Sequence, residues 1–79
     1  MNLDQIIVAS VSLTVQELED HEVAALFMAM QMGGINPHHQ GYDKLASLRT
    51  NPDGSMHQAT IEALEVSLQN RILEFDKNA

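Results

Sequence analysis

The most regular pattern in the chain lies near its carboxyl end, where Ile61, Leu64, Leu68, Ile72 and Phe75 follow at spacings of three, four, four and three residues. That rhythm marks the buried face of an amphipathic helix, flanked here by Ala59, Ala63, Val66 and Leu73. Ser55 and Gln58 have capping-box spacing, so the predicted helix runs over about 56–75. Strict heptad phase would put Arg71 in the seam, which argues against a coiled coil. A second capping box, Thr14 with Glu17, and a staple between Leu13 and Leu18 predict a helix over about 15–32, closed by Gly33 and Gly34. A linker follows, containing the turn-forming step Asn36-Pro37. It leads to a short helix over about 42–49 that offers Tyr42, Leu45, Ala46 and Leu48 to the core. Asn51-Pro52-Asp53-Gly54 then reads as a tight turn.

The first residues fit two periods at once. Ile7, Ala9, Val11, Leu13 and Val15 alternate with Ser10, Ser12 and Thr14, a strand pattern rich in β-branched residues. Leu3, Ile6, Ile7 and Val11 also share one helical face, with Asn2 available as a cap. Strand is the favoured reading. A lone strand cannot satisfy its own backbone groups, so it implies pairing with its copy in a homodimer. The fold class is therefore mainly α: one small helical domain with three helices over about 15–32, 42–49 and 56–75, and a segment over about 6–13 that is a strand or a further helix.

The stretch Val23–Met32, VAALFMAMQM, has Gln31 as its one polar member and must be covered on several sides. It is either the central helix of the domain or a surface buried against another chain. Phe27, Met28, Met30 and Met32 are the candidate contact residues there, methionine being an adaptable packer found in cores and on binding surfaces alike.

Composition narrows the class of partner. The 79 residues hold 11 acidic and 4 basic side chains, a net charge of −7, with every Lys and Arg at or after Lys44. Binding to phosphate backbones depends on Lys and Arg, so no direct nucleic-acid ligand is expected. The order strand, helix, turn, helix over Ser10 to Arg49 resembles the ribbon-helix-helix DNA-binding dimers in topology. It departs from them in having no basic residue in the first 43 positions to reach phosphate. A protein with a basic surface fits better, met by Glu17, Glu19, Asp20 and Glu22. No basic n-region with a long apolar run occurs at the start, and no segment approaches a bilayer span, so no membrane association and a cytoplasmic location are expected.

Candidate chemistry is sparse. There is no cysteine, and His38 and His39 are adjacent rather than three or four apart on a helix, so metal-dependent activity through them is the weakest of the readings. His57 falls on the stripe of the last helix and is expected to be half-buried. No nucleophile elbow, P-loop or dinucleotide fingerprint is present, and a cavity of even about 300 Å³ is hard to enclose in so short a chain. The sequence therefore points away from an enzyme or a cofactor-binding protein and towards a protein-interaction module: a small acidic regulator or inhibitor of bacterial or phage type. The alternative is a self-assembling structural oligomer held by Val23–Met32.

Overall fold

A computed structural model describes residues 2–77, the side chain of Asp76 excepted. Three α-helices and a 3-10 helix follow one another: α1 (Leu3–Gln16), α2 (Asp20–Gln31), the 3-10 helix Tyr42–Leu48, and α3 (Gln58–Lys77). The long last helix packs against both α1 and α2, and the 3-10 helix leans on α1. One cluster of Val11, Val15, Leu18, Val23, Leu26, Leu45, Leu48, Leu64 and Leu68 forms the core.

The amino-terminal segment is a helix, which corrects the strand reading. Asn2 caps it: its Oδ1 accepts from the Gln5 N–H at 2.9 Å while Gln5 Oε1 accepts from the Asn2 N–H at 3.2 Å. Helical phase brings Val11, Thr14 and Val15 to one buried face, with Ile7 beside them. Those apolar positions lie opposite the stripe of α3, so a helix gains a partner within the chain that a strand would lack. With the strand goes the ribbon-like topology and the argument that an unpaired strand requires a dimer.

The predicted helix over 15–32 is two elements. Thr14 is no cap; it lies inside α1, and its Oγ1 donates back to the Ser10 carbonyl at 2.9 Å, as buried threonine often does mid-helix. The Leu13 staple fails with it, since Leu13 is 64% exposed while Leu18 is buried. α2 starts later, with Glu19 at the N-cap and Glu22 Oε1 accepting from the Glu19 N–H at 2.9 Å. Its end is as expected: the Gly34 N–H reaches the Ala29 carbonyl at 2.9 Å and the Gly33 N–H the Met30 carbonyl at 3.4 Å, the bond pair of a Schellman motif.

Gly41 fixes the approach of the 3-10 helix to α2. Its φ is +84°, and a Cβ built there would lie 3.1 Å from both the Glu22 Cβ and the Leu26 Cδ1. The turn at 51–54 is closed by the Gly54 N–H on the Asn51 carbonyl at 2.9 Å. Ser55 belongs to this turn, donating to Asp53 Oδ1 through both N–H and hydroxyl, instead of capping α3. Asp53 is held below the usual carboxylate range by those two bonds. Along α3, Leu64 and Leu68 are buried and Ile61, Ile72 and Phe75 half-buried, while Val66 and Leu73 face outward. His57 and Ala46 are exposed, against expectation. His57 precedes the first turn of α3 and lies at the edge of the groove between the starts of α1 and α3.

Candidate functional site

The corner between α1 and α2 uses up half of the acidic cluster. α1 has no basic residue in its last turn, so the negative end of its dipole is met from elsewhere. Arg71, on α3, donates to the Val15 carbonyl at 2.8 Å and the Leu18 carbonyl at 3.4 Å, and reaches Asp20 Oδ1 at 3.0 Å. Lys44, on the 3-10 helix, donates to the Glu17 carbonyl at 3.3 Å and to Glu22 Oε1 at 2.7 Å. Asp20 and Glu22 are therefore already engaged within the chain, Glu22 largely buried and Asp20 at the surface. Glu17 and Glu19 remain exposed, Glu19 with His21 Nε2 at 3.5 Å.

The Lys44 bond holds the Glu22 carboxyl below its ordinary value of 4.5, and Glu22 in turn raises Lys44 above 10.5. For a depressed carboxyl the stabilisation is present in full above the unfolded pKa and is lost as pH falls through the native one. For a raised lysine it is present below the unfolded pKa and lost as pH rises through the native one. The stability difference between the parent and Glu22→Gln is thus expected to be largest across neutral pH. Urea titrations should find it shrinking below pH 4.5 and again above pH 10.5. A difference that stays constant from acid to alkali would mean that the pair is not formed.

The second feature is the outer face of α1. Leu3, Ile6, Ser10, Leu13 and Glu17 follow at spacings of three, four, three and four, and Leu3, Ile6, Ser10 and Glu17 are open to solvent. They make a second stripe on the flank of α1, about 100° round the helix from the core face. Leu3 is 70% exposed, Ile6 47% and Leu13 64%. Toward the start of α1 this ridge runs into an open groove of about 500 Å³, where Leu3, Ile6 and Ile7 meet Leu48 and Thr60. Another groove of about 530 Å³ follows the α1–α3 seam past Val8, Ala63 and Val66. At its other end the ridge finishes at the exposed carboxylates Glu17 and Glu19. Sequence inspection misses this stripe because the same residues can be read as the inward face of a strand or helix; the available signal is that α1 is apolar on more than one side.

The apolar second half of α2 is mostly internal. Ala29 is buried, and Phe27 and Met30 pack against the core. Met28 is 61% exposed and Met32 83% exposed, so of the candidate residues there these two present open surface. Met30 instead lines a third groove, of about 480 Å³, with Ile35, Tyr42, Arg49, Met56, Ile61, Leu64 and Glu65 among its other walls. All three grooves exceed about 300 Å³, but each is open to solvent along its length.

His38 and His39 do not come together with other metal-ligating groups, and among the described residues no cluster of three His, Asp or Glu is placed to hold an ion. His39 instead acts locally, its Nδ1 accepting from the Asn36 N–H at 2.8 Å and closing the turn at Pro37. Among the described residues no helix is long and apolar enough to cross a membrane. No protein-family model, no curated protein and no solved structure matches the chain.

Proposed function

We propose that the chain is a protein-interaction module, a small acidic regulator that docks on another protein through the outer face of α1. The observation that carries this reading is the Leu3, Ile6 and Leu13 ridge, exposed on the flank of a helix whose adjoining face fills the core. Contiguous apolar surface beside a polar rim is the usual composition of a docking patch. Glu17 and Glu19 supply a rim of one sign, so the complementary partner presents an apolar groove bordered by Lys or Arg. Met28 and Met32 are a secondary candidate surface. The proposed setting is the cytoplasm.

Leu3→Gln/Leu13→Gln tests the reading, because both side chains are largely exposed and surface changes of this kind alter stability by about 0.5 kcal/mol or less. The double variant is expected to keep the parent melting curve and lose a partner that the immobilised parent retains. Glu17→Lys/Glu19→Lys should weaken the same capture and remove most of its salt dependence. Glu22 is unsuitable for reversal, since it is largely buried and paired with Lys44, and Asp20 is left unchanged because Arg71 already occupies it. A partner held equally by parent and both variants would remove this face from the interaction.

Self-association through the same ridge is a second reading. The ridge is poor in charge, which a chain of net charge −7 needs where it meets its own copy. Light scattering at low and high concentration separates the readings: a dimer that Leu13→Glu dissociates supports self-association, and a monomer throughout leaves the face to another protein.

A further inference from the structure

We propose that the groove between the end of α2, the 3-10 helix and α3 binds a small monocarboxylate with an apolar body, its carboxylate held by Arg49. This site is separate from the outer face of α1.

Arg49 has an unusual setting. Its Nη1 donates to the Tyr42 hydroxyl at 2.6 Å and its guanidinium carbon sits 4.6 Å from the centre of the Tyr42 ring. Stacking and hydrogen bond together fix the plane of the fork. The Nε–H is shielded from solvent and has no acceptor, an arrangement that leaves a buried donor unsatisfied. Although the chain carries 11 acidic residues, no carboxylate among the described residues forms an ion pair with Arg49, whereas Lys44 and Arg71 each have one. A guanidinium held in plane by Tyr42, its Nε–H unpaired, is suited to a carboxylate accepting from Nε and Nη2 side by side once the groove yields at Nε.

The walls define the rest of the ligand. Met30, Ile35, Met56, Ile61 and Leu64 are apolar, and the groove has about 480 Å³, within the range of small-molecule sites. Glu65, on the same wall, repels an anion, which confines the charged end of the ligand to the guanidinium. Met30 and Met56 line the groove, and methionine repacks easily, so the wall can yield to a ligand approaching Nε. Charge and apolarity in one small body describe a short-chain fatty acid better than inorganic phosphate or an uncharged lipid.

Tyr42 is the only tyrosine and the chain has no tryptophan, so intrinsic emission reports on this groove directly. Octanoate titrated into the full chain is expected to change that emission saturably with one equivalent, and 1-octanol to bind at least tenfold more weakly. Arg49→Gln should weaken octanoate at least tenfold; Arg49→Lys, which keeps the charge but not the fork, should fall between. Octanol binding within threefold of octanoate, or an emission change that never saturates, would overturn the proposal. That comparison uses the unaltered chain, so it holds even where Arg49→Gln fails to fold.

Discussion

Leu26→Ala is expected to remove a large share of the molecule's stability. Leu26 is fully buried at the centre of the core and lies directly beneath the backbone of Gly41. Truncating such a leucine costs about 3–5 kcal/mol, the transfer loss plus the cavity left behind. A domain of this length has about 4–12 kcal/mol of total stability. The cavity does not collapse cheaply, because separate elements meet at Leu26 and the backbone of Gly41 is already packed close against it. Urea unfolding followed by far-ultraviolet circular dichroism measures the loss, with Leu26→Met as the volume-conserving control at under about 1.5 kcal/mol. An alanine variant within about 1 kcal/mol of the parent would mean that the core is not closed at this point.

Arg71→Met should be the most damaging change of a charged residue. Each hydrogen bond from a charged donor contributes about 1.5–3 kcal/mol, and Arg71 makes two to the carbonyls of Val15 and Leu18. Its pair with Asp20 adds little, since Asp20 is 78% exposed and exposed pairs are worth about 0–1 kcal/mol. Because the Leu18 bond is long at 3.4 Å and counts for less, the expected loss is about 2–4 kcal/mol for Arg71→Met, against under about 1 kcal/mol for Asp20→Asn. Equal losses would transfer the weight from the carbonyls to the ion pair. The same asymmetry explains why a basic residue stands in the otherwise apolar inner face of α3: it replaces the cation that α1 lacks at its own end.

Arg71 also marks where reading from sequence stops. It lies 56 and 53 positions from the carbonyls it caps, and no local pattern announces such a bond; in the helical stripe it reads only as an interruption. The stripe itself is plain, as are the glycine close of α2, the turn at 51–54 and the burial of Leu45 and Leu48, since each depends on neighbours a few residues away. The first helix reads wrongly for a physical reason. Serines, threonine and β-branched residues between Ile7 and Val15 satisfy both periods, and only the presence of α3 decides between them. The Thr14 box obscures the true start of α2, because glutamate is a weaker N-cap signal than threonine. For the candidate sites, sequence finds the acidic residues without sorting them: Glu17 and Glu19 stay outward while Asp20 and Glu22 are engaged within the chain. The Arg49–Tyr42 pair spans seven residues within a non-α segment, where no helical spacing rule applies.

The position of α3 in the order of the chain has a consequence for how the molecule forms. α1 and α2 each lay an apolar face on a helix that begins at Gln58, and their corner is fastened by a residue near that helix's far end. While the chain is being made, the first two helices can coil locally and meet the 3-10 helix, but the element that covers most of their apolar faces is still missing. Their exposed leucines and valines are then surfaces for a chaperone or for other nascent chains. Native structure thus arrives in one late step, when α3 docks. A chain interrupted before Arg71 would present the ridge of α1 on an open, associating pair of helices rather than on a finished surface.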